Sequence, residues 1–139
     1  MTFVDTNVII DILTSDPVWS NWSVERLSDA RCGGQVVINA IILAELSRNY
    51  GSLADLQMAI APLDLVSEPI EDGCAFLAGQ RFVTYRETRK ADKGYRVLPD
   101  FFIGAHAVIA NIPLLTRDPA LYRRYFPELA LITPETDQA

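Results

Sequence analysis

The chain has 139 residues, half of them hydrophobic, and a formal net charge of −6. That length fits one domain able to bury a core without staples, and the acidic balance argues against a general nucleic-acid-binding protein. The two cysteines, Cys32 and Cys74, lack metal-site spacing and read as free thiols. No apolar run has transmembrane length, and Met1 to Asp5 lacks the basic start and apolar core of a signal peptide, so a cytoplasmic protein without a membrane partner is expected.

In chain order, residues 2–5 predict a short buried strand. Thr6 or Asn7 caps a helix carrying Val8, Ile9, Ile12 and Leu13. Asp16-Pro17 punctuates, and a helix from about Pro17 to Ala30 follows, ending in a turn at Cys32-Gly33-Gly34. Val36 to Ile38 predicts a second strand, with Asn39 capping a helix that carries Glu45 and ends near Tyr50-Gly51. A helix over 52–60 is closed by Pro62, and residues 63–66 predict a third strand. Another helix runs from about Pro69 or Ile70 into a basic stretch, and Ala91 to Arg96 reads as an exposed loop.

Leu98-Pro99-Asp100 opens a very apolar helix through Val108, with proline in its first turn. Leu114-Leu115 predicts a fourth strand, Asp118-Pro119 a short helix ending at Phe126-Pro127, and residues 129–132 a fifth, edge strand. Residues 1–133 would form the domain and 134–139 a mobile tail. Strands alternate with helices and are continuously apolar, which predicts an α/β fold: a central parallel sheet in a three-layer α/β/α sandwich.

Four acids adjoin strongly hydrophobic sequence. Asp5 ends the first strand, Glu45 interrupts Ile41-Ile42-Leu43-Ala44, Asp100 precedes Phe101-Phe102-Ile103, and Asp118 follows the fourth strand. Charged residues are rarely buried unless paired or bound to metal. Sites in open parallel sheets form beyond the carboxyl ends of the strands, an edge that can collect all four acids. Clustered carboxylates repel, and a divalent cation relieves that repulsion while activating water and stabilising charge on a phosphodiester. An all-oxygen pocket suits Mg²⁺, with Mn²⁺ as an alternative.

Asn7 and Thr116 could add neutral oxygens or hold a metal-bound water. Arg117 could bind a phosphate or pair with a site acid. Arg81, Arg86, Arg89, Lys90, Lys93 and Arg96 crowd one stretch, and Arg123 and Arg124 lie near Asp118. Basic groups beside an acidic centre suit a polyanionic substrate, although a solvated helix face is the commoner use of a charge run. Each acid alone has a plainer reading: Asp5, Asp100 and Asp118 as helix-start acids, Glu45 as a solvent-facing glutamate. Asp11 and Glu71 read as solvated, with an outer-shell acid as the other reading. Trp19 and Trp22 read as core or as a partner groove. The single histidine, His106, points away from Asp100 on its helix and reads as packing or surface, which disfavours histidine acid–base catalysis. No serine or cysteine has a matching base.

Val4-Asp5-Thr6-Asn7-Val8, Glu45 between Ala44 and Leu46, Leu98-Pro99-Asp100 before an alanine-rich helix, and Leu115-Thr116-Arg117-Asp118 together resemble the PIN domain. More narrowly they are similar to VapC-type ribonuclease toxins of prokaryotic toxin–antitoxin pairs, over residues 2 to about 132. The resemblance implies an α/β/α sandwich and a Mg²⁺- or Mn²⁺-dependent endoribonuclease. Asp5, Glu45, Asp100 and Asp118 would be its catalytic and metal-binding acids. Asn7, Thr116, Arg117, Arg86, Arg89 and Lys90 would contact RNA. It also implies a cognate antitoxin and a homodimer. Two other readings stand beside it. One is a non-catalytic PIN-like metal- or partner-binding module. The other is a phosphate-handling domain with an aspartate nucleophile, which usually needs a second acid within a residue or two of the strand-end aspartate, and Asp5-Thr6-Asn7 has none.

Overall fold

The computed structural model describes residues 1–88 and 97–135. Among these residues, five strands form one all-parallel sheet: β1 (Thr2–Val4), β2 (Val36–Ile38), β3 (Leu65–Ser67), β4 (Leu114–Leu115) and β5 (Leu131–Ile132). The spatial order is β3-β2-β1-β4-β5. β1 is central, with Phe3 opposite Val37 on one side and Leu114 on the other. Every strand of the middle three is fully buried, which explains their unbroken apolar sequence.

Among the described residues, seven α-helices connect the strands: α1 (Thr6–Leu13), α2 (Ser20–Gly33), α3 (Ala40–Leu46), α4 (Leu53–Ile60), α5 (Asp72–Thr88), α6 (Leu98–Ala110) and α7 (Ala120–Tyr125). The chain moves outward from β1 through β2 to β3, then crosses back to β4 and on to β5. The crossovers run in opposite directions across the sheet, and with the right hand such connections take they put helices on both faces, the expected α/β/α arrangement. The chain's path reverses between β1 and β4, so the crevice between their carboxyl ends is where such folds place sites.

Local chemistry sets the boundaries. Asn39 Oδ1 accepts from the Ile41 and Ile42 N–H groups at 3.0 and 3.1 Å and so caps α3. β3 starts later than the sequence suggests, because Ala61–Leu63 forms a 3₁₀ turn closed by Asp64 in the left-handed region at φ 54°. α2 is also shifted. It begins at Ser20, because Asp16 Oδ1 takes the Val18 and Trp19 N–H groups, and it continues through Cys32 and Gly33. The chain breaks only at Gly34, whose φ of +152° suits glycine and whose missing Cβ leaves room for the Met1 nitrogen.

Behind the site, Phe82, Tyr85, Phe101, Tyr125 and Phe126 pack ring to ring at centroid distances of 5.4–5.9 Å where α5, α6 and α7 meet. Gly104 permits this closeness: a Cβ there would lie 2.7 Å from the Phe126 ring. His106 is packing, as expected. It is buried, its ring meets Phe3 edge-on at 4.9 Å, and burial lowers its pKa. Asn39 has its oxygen engaged at the helix cap, so its Nδ2 donates to His106 Nδ1 at 3.1 Å and the imidazole proton sits on Nε2. No helix among the described residues is long and apolar enough to cross a membrane. The expected loop at 91–96 and most of the expected tail, 136–139, lie outside the described residues.

Candidate functional site

Asp5, Glu45, Asp100 and Asp118 all line one pocket of about 450 Å³, together with Thr6, Asn7, Tyr85, Tyr122 and Arg124. It opens at the carboxyl ends of β1 and β4. Asp5 follows β1, Asp118 lies in the segment after β4, Glu45 is near the end of α3, and Asp100 is in the first turn of α6. Arg124 is the one basic residue on the lining among the described residues.

Asp5 is 5% exposed and held on every side. Its Oδ1 accepts from the Thr6 N–H at 2.8 Å. Its Oδ2 accepts from the Thr116 hydroxyl at 2.9 Å, the Tyr122 hydroxyl at 3.0 Å and Asn7 Nδ2 at 3.5 Å. The direction of the Thr116 bond is fixed. Its oxygen accepts from the Asp118 N–H at 3.1 Å and Asn7 Nδ2 at 3.3 Å, which leaves its one proton for Asp5. Burial nevertheless pushes Asp5 from 3.8 to about 6, against these donors and with help from the Glu45 charge.

Asp100 is raised further, from 3.8 to about 7. Burial is the largest cause, followed by the charges of Asp5, Glu45 and Asp118, while the Tyr122 hydroxyl pulls the other way. Each of the other three acids thus acts on Asp100 through space. Glu45, half-buried, accepts from the Thr6 hydroxyl at 2.7 Å, which ties α3 to the start of α1. Asp118 stands exposed on the rim.

Tyr122 escapes a sequence reading, because a tyrosine in a short helix looks like core. It is 2% exposed, and its hydroxyl lies between Asp5 and Asp100. Burial and those two carboxylates push its pKa well above 10, so it stays protonated and serves as a donor. The only sequence signal was its place one turn after Asp118.

Several expected substrate contacts are placed otherwise. Thr116 is fully buried beneath Asp5, so its oxygen organises the site rather than facing a ligand. Arg117 Nε donates to Asp11 Oδ2 at 2.7 Å, and its guanidinium lies 5.7 Å from the Trp19 ring. Asp11 is not solvated: it is 1% exposed and also accepts from the Ser23 hydroxyl at 2.9 Å. Arg81, in the basic stretch, donates to both oxygens of Glu128 at 2.8 and 2.7 Å and to the Tyr125 carbonyl. Arg86 lies on an exposed part of α5, and Asn7 lines the pocket. Arg89 and Lys90 lie outside the described residues.

The donor set fits a hard divalent cation, since the four acids offer carboxylate oxygens. Among the described residues, no group of three or more His, Cys, Asp and Glu is arranged to hold a metal ion as it stands. The acids instead share one pocket, where burial and then the charges of Asp5, Glu45 and Asp118 hold Asp100 up, an electrostatic penalty a cation would remove.

The PIN domain family model matches residues 2–127. Among solved structures, the chain is similar to VapBC2 from Rickettsia felis bound to a DNA fragment from its promoter, at 19% identity and a TM-score of 0.71, covering 95% of this chain and 97% of that one. It is similar to FitAcB from Neisseria gonorrhoeae at 22% identity and a TM-score of 0.65, covering 97% and 99%. A toxin–antitoxin complex from Klebsiella pneumoniae aligns at 21% identity and a TM-score of 0.60, covering 96% and 98%. These likenesses speak to the fold. No curated protein sequence gave a match.

Proposed function

The chain belongs to the PIN-domain family, and on that premise we propose that it is the endoribonuclease toxin of a toxin–antitoxin pair, hydrolysing RNA phosphodiester bonds with a divalent cation, Mg²⁺ or Mn²⁺, held by Asp5, Glu45, Asp100 and Asp118. One observation carries the reading: four acids from four separate chain segments line a single pocket, and three of them raise the fourth. A fold that only needed helix-start acids would let them face water separately.

A cation in that pocket supplies a more acidic water and charge stabilisation on the phosphodiester. The chain's own groups set up the rest. Thr6, Thr116 and Tyr122 hold Asp5 in one orientation, so its carboxylate does not have to reorganise on binding. Glu45, anchored by the Thr6 hydroxyl, would take the proton of the attacking water. Asp118 on the rim and Arg124 on the lining meet the substrate side, Arg124 to hold a phosphate. Asn7, which lines the same pocket, would contact RNA, with Arg86, Arg89 and Lys90 taking further phosphates.

The solved neighbours include toxin–antitoxin complexes, which supports a cognate antitoxin as partner here. The resemblance adds a homodimer. The test is cleavage of total cellular RNA by the purified protein with Mg²⁺, with Mn²⁺ and with chelator, the new ends being mapped beside an Asp5→Asn variant. Discrete metal-dependent cuts that vanish in the variant are expected. Intact RNA from a protein that binds metal tightly would return the non-catalytic binding module. Cuts that survive Asp5→Asn would end the assignment of the site.

A further inference from the structure

Asp11 is a buried carboxylate for which the proposed chemistry has no use. It sits in α1 one turn beyond Asn7, so the two face the same way. Both reach the same residue. Asn7 Oδ1 accepts from the Arg117 backbone N–H at 3.4 Å, and Asp11 Oδ2 accepts from Arg117 Nε at 2.7 Å. α1 thus grips Arg117 by main chain and side chain together. On one side of Arg117 in sequence is Thr116, whose hydroxyl holds Asp5, and on the other is Asp118. α2 braces the grip: Ser23 donates to the same Asp11 oxygen, and Trp19 lies against the guanidinium.

The electrostatics match that placement. Asp11 holds the Arg117 pKa up through its hydrogen bond and its charge, with Asp16 and Asp118 adding to it. A guanidinium with one buried carboxylate bonded to it and two more nearby offers little net positive field to a phosphate.

We propose that Asp11 and Arg117 are positioning residues: an ion pair that locks the segment 116–118 onto α1 and so sets Asp118 and, through Thr116, Asp5. Arg117 then is not a phosphate ligand. The proposal rests on the metal-dependent nuclease reading and sharpens it.

The experiment compares wild type, Asp11→Asn, Arg117→Gln and the double variant. It reads kcat and KM for RNA cleavage, their salt dependence, and Mn²⁺ affinity by calorimetry without RNA. Arg117, whose side chain is 30% exposed, keeps the test open if Asp11→Asn fails to fold. Groups that orient metal ligands typically affect metal affinity or activity by roughly 10–100-fold. Both single variants should therefore lose that much in kcat and bind Mn²⁺ more weakly, with KM and its salt dependence unchanged. The double variant should be no worse than either single one, because the two residues act as one unit. A phosphate ligand would behave otherwise: Arg117→Gln would raise KM and flatten its salt dependence, while Asp11→Asn would leave KM unchanged or lower it. That pattern overturns the proposal. So do variants as active and as tight for Mn²⁺ as wild type, which would leave the pair a stability role only. A wild type that neither cleaves RNA nor binds Mn²⁺ removes the nuclease reading and this proposal with it. A competent wild type with indifferent variants removes this proposal alone.

Discussion

Replacing Asp100 by asparagine should make the metal-free protein more stable while destroying its proposed chemistry. Burial and the charges of Asp5, Glu45 and Asp118 push Asp100 from 3.8 to about 7. The folded chain therefore keeps this proton to higher pH than the unfolded chain does. Between 3.8 and about 7 the folded state is the more protonated one, so stability falls as pH rises through that window, and the loss is complete above it. A rise of about three units at ~1.36 kcal/mol each sets a ceiling of roughly 4 kcal/mol. Asparagine also loses hydration on burial, and relaxation screens the charges, so about 2 kcal/mol is the expected gain. For a chain of this size that is roughly 5–8 °C in Tm. The assay is thermal and urea unfolding of both proteins in chelator, at about pH 5 and about pH 7.5. Asp100→Asn should be the more stable at the higher pH, with the gap narrowing at the lower. Added Mn²⁺ should stabilise the wild type more than the variant. A variant no more stable than wild type at the higher pH, or a gap that ignores pH, refutes the electrostatic argument.

Other substitutions probe the supports of the site. Tyr122→Phe keeps the buried ring but removes the hydroxyl that donates to Asp5. It should cost about 1–2 kcal/mol in urea unfolding and lower Mn²⁺ affinity in a calorimetric titration. Gly104→Ala drives a methyl into the Phe126 ring, 2.7 Å from the new carbon. A loss of about 1–3 kcal/mol should appear in the thermal melt. Asn39→Ala uncaps α3 and leaves His106 Nδ1 without its donor. About 1–2 kcal/mol of stability should go, and cleavage should slow, because Glu45 rides on that helix.

The sheet was legible because buried parallel strands leave a plain signature: Val36-Val37-Ile38 and Leu114-Leu115 are unbroken apolar runs closed by a capping or turning residue. The four acids were legible because each interrupts or abuts such a run. What stayed hidden depends on partners far apart in sequence. Asp11 looks like one more acid on a helix, yet it is buried because Arg117, 106 positions away, and Ser23 close over it. Arg81 reads as one charge of a basic stretch, and Arg117 as a phosphate ligand or a partner for a site acid, until Glu128 and Asp11 are seen opposite them. Tyr122 reads as core until Asp5 and Asp100 appear at its hydroxyl. The late start of β3 follows from the left-handed backbone at Asp64, a turn that Pro62 hinted at without fixing its length.

The claim beneath all of this is that the carboxylates form a divalent-cation site. The most direct test is a calorimetric titration of Mn²⁺ into wild type, Asp5→Asn and Asp100→Asn near pH 6.5, in two buffers of different ionisation enthalpy. At that pH Asp100, at about 7, is mostly protonated and Asp5, at about 6, only partly so, and a bound cation must displace those protons. The wild type should bind saturably with proton release, and both variants should bind at least tenfold more weakly and release fewer protons. No saturable binding, or equal binding by all three proteins, would contradict the account.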